Sequence, residues 1–173
     1  YFIKCKIFKI VYSIYILMQF KKYFKDYNKS IYDLLDRFDT DLIDQSVKLI
    51  GKCRNQGGKV YVAGNGGSSS MASHVSVDFA KVAGVPSDTF NNANLITCFA
   101  NDYGHDNWVT EAIKAYTNKN DMLILISSSG TSTNIVNAAS YCNENNIPLL
   151  TLSGFKRDNP LSKIGDVNIH VES

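Results

Sequence analysis

Apolar residues along the chain follow two periods. Phe20, Tyr23, Phe24, Tyr27, Ile31, Leu34 and Leu35 recur at intervals of three and four, which predicts a helix over 19–37. Leu42, Ile43, Val47 and Ile50 repeat the pattern over 40–56. Asp39 or Thr40 is placed to cap that second helix, and Gly57-Gly58 to stop it. From there short apolar runs of strand type alternate with helical stretches. The runs are 59–63, 94–100, 122–126, 148–152 and 166–171. The helical stretches reach from Ser68 to about Val82 and over 106–116 and 134–143. The run Met122-Leu-Ile-Leu-Ile126 is apolar at every position, as a strand buried on both faces requires. Alternating strands and helices predict an α/β fold with a parallel sheet covered on both faces. No internal repeat, linker or low-complexity tract interrupts it.

The N-terminus departs from this picture. Ile7 to Leu17 is apolar apart from Lys9 and Ser13, but shorter than the ~20 residues of a membrane-spanning helix. Gln19-Phe20-Lys21-Lys22 follows, with no small-residue cleavage site of an export signal. The chain begins at Tyr1 and its first methionine is Met18. Residues 1–17 are therefore expected to be a non-native extension and 18–173 the domain. The alternative is a genuine amphipathic N-terminal helix.

Composition narrows the class. With 173 residues, 45% hydrophobic and 20% charged, the chain can bury a core without staples. A net charge of +2, scattered along the chain, argues against a nucleic-acid partner. No membrane partner is expected either. Cys5, Cys53, Cys98 and Cys142 are too widely spaced for redox or zinc-ribbon motifs. They read as separate thiols of a reducing compartment, so a cytoplasmic protein is expected.

Two strand–loop–helix units carry the candidate chemistry. The first loop is Ala63-Gly64-Asn65-Gly66-Gly67-Ser68-Ser69-Ser70 and the second Ser127-Ser128-Ser129-Gly130-Thr131-Ser132. Each follows a strand and runs into a helix N-terminus, where free amides and the helix dipole favour an anion. Ligands of parallel sheets bind at such strand ends. There is no lysine at the helix start, so the loop is no nucleoside-triphosphate P-loop. The third glycine of a dinucleotide fingerprint is missing, and no GxSxG nucleophile elbow occurs. What remains suits phosphate held by hydroxyls and amides without fixed cations, as in a small phosphorylated metabolite.

His74 and Asp78 stand four apart on one helical face. The pair can serve as base and acid, supply two of a zinc ion's donors, or form a surface contact. Asn101 and Asp102 follow the 94–100 run as a polar cluster. His105 is expected at a helix start, and His170 to be satisfied within the last strand.

Together GNGGS at 64–68, His74 and Asp78, ANDYG at 100–104, ISSSGTS at 126–132 and LTLSG at 150–154 resemble the SIS sugar-isomerase domain, and more closely the phosphoheptose isomerases. The resemblance spans about residues 19–173. It implies a three-layer, flavodoxin-like parallel-sheet domain preceded by N-terminal helices. It implies an aldose–ketose isomerase acting on sedoheptulose 7-phosphate or a close relative, for surface-polysaccharide synthesis. Ser68, Ser127, Ser129 and Ser132 would hold phosphate, with Ser128 beside them. Asn65, Gly66, Gly67, Asn101 and Asp102 would line the sugar. Asp78 stands where the family commonly has a glutamate base, and His74 where some members have a zinc ligand. No organic cofactor is implied, and zinc is the one metal to consider. A homotetramer with sites shared between subunits is expected.

The family continues into a helix carrying a glutamine and a histidine proposed as general acid. That helix is expected to lie beyond Ser173, which would leave this chain an incomplete enzyme. The rival reading of the same motifs is a non-catalytic SIS module that senses a sugar phosphate or binds a protein, as in replication-initiator-binding relatives.

Overall fold

The computed structural model describes the backbone of residues 2–172 and the side chains of residues 15–172. The chain divides into two units, residues 1–38 and 39–173. The first is one helix, α1 (Phe2–Asp36). It continues unbroken through Leu17 and Met18, where the sequence suggested a boundary. Phe20, Tyr23, Phe24, Tyr27 and Ile31 form its exposed apolar stripe, and the Tyr23 and Tyr27 rings stack with centroids 6.2 Å apart. Expectations about Tyr1, the side chains before Tyr15 and the sequence after Ser173 lie outside the described residues.

The second unit starts with α2 (Asp41–Asn55). Asp39 rather than Thr40 provides the side-chain cap, Asp39 Oδ1 accepting from the Asp41 amide at 3.0 Å. Strand β1 (Val60–Gly64) leads into α3 (Gly67–Lys81), and β2 (Ser87–Thr89) follows. Then come α4 (Ala93–Tyr103), α5 (Trp108–Tyr116), β3 (Met122–Ser127) and α6 (Thr133–Glu144). Strand β4 (Leu149–Gly154), a 3-10 turn at Pro160–Lys163 and β5 (Val167–Val171) complete it. The five strands are parallel in the order β2-β1-β3-β4-β5. This is the doubly wound, flavodoxin-like order, whose chain path reverses between β1 and β3.

The period of two in the strands divides the core. Tyr61, Ala63, Leu123 and Leu125 face α5 and α6, against Val109, Ala112, Ile113, Ile135 and Ala138. Val60, Val62, Met122, Ile124 and Ile126 face the other way, onto Cys53 of α2 and Ala72 of α3. Both sheet faces are thus dry, which explains the uninterrupted apolar runs. Cys53 and Cys142 are buried in these two layers and Cys98 is exposed, all three as free thiols. Burial pushes the Cys142 thiol up to about 12. Among the described residues no helix is long and apolar enough to cross a membrane.

One expected strand is a helix. The run 94–100 lies inside α4. Asn92 starts it, its side-chain oxygen accepting from the amides of Asn94 at 2.9 Å and Leu95 at 3.3 Å. Leu95, Ile96, Phe99 and Ala100 then fall at helical spacing on the side packed against the core. That spacing, not the local density of apolar residues, decides the element. The strand in this part of the chain is β2, whose Ser87-Asp88-Thr89 carries no apolar signal because it sits at the sheet edge. Asn101 and Asp102 accordingly occupy the last turn of α4 and follow no strand.

Two aspartates pin strand starts to their neighbours. Asp121, buried at 4% exposure, accepts from the Lys59 and Asn118 amides, each at 2.7 Å. Asp166 accepts from the Leu149 amide at 2.8 Å. Replacing Asp121 by alanine strands two amides, each having donated to a charged acceptor. Asp121→Ala is expected to cost about 2–3 kcal/mol. Urea unfolding should show a lower midpoint with unchanged slope, and Asp121→Asn should recover part of the loss.

Candidate functional site

At the point where the strand order reverses, the carboxyl ends of β1 and β3 lie side by side, with Gly64 paired to Ile126. The two polar loops leave from these ends. Helix α3 packs on one face of the sheet and α6 on the other. Their N-termini therefore approach the crevice from opposite layers, the geometry in which open α/β sheets bind ligands. No side chain caps either helix. The amides of Ser68, Ser69 and Ile135 donate to loop carbonyls, whereas those of Gly67, Thr133 and Asn134 have no backbone acceptor among the described residues and can meet an anion.

Close approach of the loops depends on Gly64. A Cβ there would stand 2.7 Å from Ser68 Cβ and 2.9 Å from the Ile126 carbonyl oxygen. Any side chain would push the first loop off β3. Gly130 does the same for the second loop. It has φ +65°, and a Cβ would meet Asn159 Oδ1 at 1.9 Å. The Gly130 carbonyl accepts from the Leu161 amide at 3.2 Å, and the Ser128 carbonyl from the Gly154 amide at 3.0 Å. The serine loop is thereby tied to the segment after β4.

A cavity of about 220 Å³ opens between the loops, lined by Asn65, Ser68, Ile126, Ser127, Ser128, Ser129, Ser132 and Phe155. The five serines expected at a phosphate site thus come together in one place. Ser127 Oγ donates to Ser132 Oγ at 3.1 Å. Ser129 Oγ accepts from the Thr131 amide at 3.2 Å and hydroxyl at 3.0 Å. No lysine or arginine is among the lining residues.

The loops are joined by a pair of amides. Asn65 Nδ2 donates to Asn134 Oδ1 at 2.8 Å, and Asn134 Nδ2 donates back to Asn65 Oδ1 at 2.9 Å. Asn134 is buried at 1% exposure. Sequence reading passed over Asn134. Its signal was a polar residue in the first turn of a helix that otherwise turns apolar positions inward. Phe155 was passed over too, and follows Gly154 with φ 57°.

The remaining expected residues do not line the serine cavity. Gly66 borders a second cavity beside Asn65, while Gly67 lines neither. Asn101 and Asp102 are exposed on α4, Asn101 Nδ2 donating to Asp102 Oδ1 at 2.9 Å. His74 Nε2 and Asp78 Oδ2 are 3.4 Å apart on α3, with side chains 80% and 55% exposed. They make the surface contact that the spacing allowed, facing solvent in the single chain. A zinc ion takes four donors, and this pair supplies two. No group of three or more candidate ligands occurs among the described residues. His170 Nδ1 lies 3.0 Å from Ser153 Oγ, as a structural histidine should, although its Nε2 is buried without a partner.

Cutting the amide pair tests its role. Asn134→Ala removes both bonds and frees Asn65 to rotate. The expected outcome is a stability loss of about 1–3 kcal/mol, measured by urea unfolding. Weaker binding of inorganic phosphate should accompany it in calorimetry.

Comparison with known proteins identifies the family. A model of the SIS domain family matches residues 23–154. Phosphoheptose isomerase of Syntrophotalea carbinolica is 31% identical over 84% of this chain and 78% of its own. That of Campylobacter jejuni is 33% identical over 76% of this chain and 73% of its own. Among solved structures, phosphoheptose isomerase of Neisseria gonorrhoeae superposes with a TM-score of 0.77 at 21% identity, covering 91% of this chain and 85% of that one. The Francisella tularensis enzyme also gives 0.77, at 24% identity, covering 90% and 84%. These two share the fold. The family model and the sequence relatives go further: the chain belongs to the phosphoheptose isomerase family of SIS-domain enzymes.

Proposed function

We propose that the protein interconverts sedoheptulose 7-phosphate and D-glycero-D-manno-heptose 7-phosphate, or a close relative of this pair, in the supply of surface polysaccharide. The observation that carries the reading is the cation-free serine cavity at the β1/β3 crevice, in a chain of this family. Ser68, Ser127, Ser129 and Ser132 hold the phosphate, with Ser128 at its edge. Anchoring one end of the sugar this way fixes how far the other end reaches, which removes much of the entropic cost of bringing reacting atoms together.

The reaction moves hydrogen between two carbons with no net oxidation. A base takes the proton from C1 of the ketose, and the C–H electron pair becomes the enediol double bond. The carbonyl oxygen at C2 gains a proton. Return of a proton to C2, with loss of the C1 hydroxyl proton, yields the aldose. Asp78 is our candidate base. It lies ten residues beyond Ser68 on α3, about 15 Å along the axis at 1.5 Å per residue. Its exposure and this distance favour action on a sugar bound to another subunit, in keeping with a homotetramer whose sites are shared. His74 beside it holds the carboxylate. Among the described residues His74 and Asp78 are two of the four donors that a zinc ion takes.

Two measurements test the reading. Ser127→Ala with Ser129→Ala removes two hydroxyl donors, each bond to a charged group contributing about 1.5–3 kcal/mol. Calorimetry should show at least a tenfold loss of sugar-phosphate affinity, with the fold retained. Unchanged affinity moves the phosphate elsewhere.

Subunit mixing examines the second half. In the full-length protein, Asp78→Asn chains and Ser127→Ala/Ser129→Ala chains should each be nearly inactive alone. Unfolded together and refolded, they should regain part of the activity, because some sites then combine an intact serine cavity with an intact Asp78. Normal turnover by Asp78→Asn alone removes it as the base.

A further inference from the structure

A second cavity of about 360 Å³ opens beside the serine cavity, lined by Gly64, Asn65, Gly66, Ser69, Ile96, His105 and Trp108. Asn65 is common to the two. Its amide is held from behind by Asn134, so it stands as a fixed post between them. The lining mixes one aliphatic wall with a ring nitrogen pair, a hydroxyl and backbone groups of the glycine loop. That mixture suits a molecule with C–H faces and several hydroxyls.

Two side chains here carry polar groups without partners among the described residues, although the Trp108 ring itself packs in the core. Trp108 is 3% exposed, and its indole Nε1 is buried without an acceptor. A buried indole N–H nearly always has a partner, because its desolvation is otherwise uncompensated. His105 is exposed at the cavity rim and makes no hydrogen bond or ion pair among the described residues. The sequence placed it only as a residue before a helix. The fold brings it to the same cavity as Trp108, at the foot of α5.

We propose that this chamber receives the hydroxyl chain of a sugar whose phosphate occupies the serine cavity, and that His105 and Trp108 determine which sugar phosphates are accepted. The inference rests on the phosphate reading above. The indole N–H donates to a sugar hydroxyl oxygen, and the His105 imidazole exchanges a hydrogen bond with a neighbouring hydroxyl. Ile96 lies against the carbon skeleton. Short phosphates that fill only the serine cavity gain nothing from these contacts, so the chamber separates sugar phosphates from phosphate itself.

Trp108 is the one tryptophan in the sequence, and its emission therefore reports on this chamber alone. Two ligands are titrated into the intact protein, inorganic phosphate and sedoheptulose 7-phosphate, with calorimetry run in parallel. The sugar phosphate should change the emission saturably, and inorganic phosphate should bind without changing it. His105→Ala should weaken sugar-phosphate binding about tenfold and leave the Kd for inorganic phosphate as it was. His105→Gln, which keeps a hydrogen-bonding side chain, should recover part of the loss. Trp108→Phe, which retains most of the buried ring, should weaken the sugar phosphate selectively in calorimetry.

If the protein binds inorganic phosphate but its emission ignores the sugar phosphate, the chamber assignment is wrong and the phosphate cavity stands. Equal weakening of both ligands by His105→Ala also overturns the assignment, because it marks a structural effect. Failure to bind inorganic phosphate at all removes both readings.

Discussion

Strands β1 and β3 run side by side, and the chain leaves them in opposite directions. After β1 it crosses one face of the sheet through α3, and after β3 it crosses the other through α6. This single pairing brings two helix N-termini to one crevice from opposite layers. It holds only while nothing intrudes between the strand ends, which is why Gly64 lies against Ile126 with no room for a Cβ. The amide pair of Asn65 and Asn134 then closes the crevice from within. Cavity, chamber and serine loop are all arranged around that closure.

Much of this was legible in the chain, and the exceptions share a cause. The central strands announce themselves because both of their faces are dry. The loops do so because glycine and serine at strand ends have few structural uses in such density. Strand β2 was silent, since an edge strand of Ser87-Asp88-Thr89 needs no apolar residue. Helix α4 was misread because a dense apolar run hides its own period, and Asn92 as its cap was the overlooked clue. Asn134, His105, Trp108 and Phe155 come to the crevice only through tertiary packing. Asn134 carries one local signal, a polar residue in the first turn of α6; the other three look like ordinary helix and loop residues.

His74 and Asp78 show the reverse situation. Their spacing was plain and the contact formed as helical geometry requires, yet the single chain leaves them facing solvent and well removed from the serines. A motif can be read correctly as local structure while its chemistry depends on a neighbour. The apolar stripe of α1 was equally plain in the sequence, and it too is exposed in the single chain.

The lack of lysine and arginine around the serine cavity has a kinetic side. Hydroxyls and amides offer direction rather than net charge, so dissolved salt has little fixed charge there to screen. Serine hydroxyls also rotate, donating to a dianion or accepting from a monoanion as the ligand's own ionisation dictates. Were phosphate bound there as proposed, such a grip would be firm enough to orient it and loose enough to release it. A catalyst gains from that balance, because ground-state affinity beyond what positioning needs only slows the departure of product.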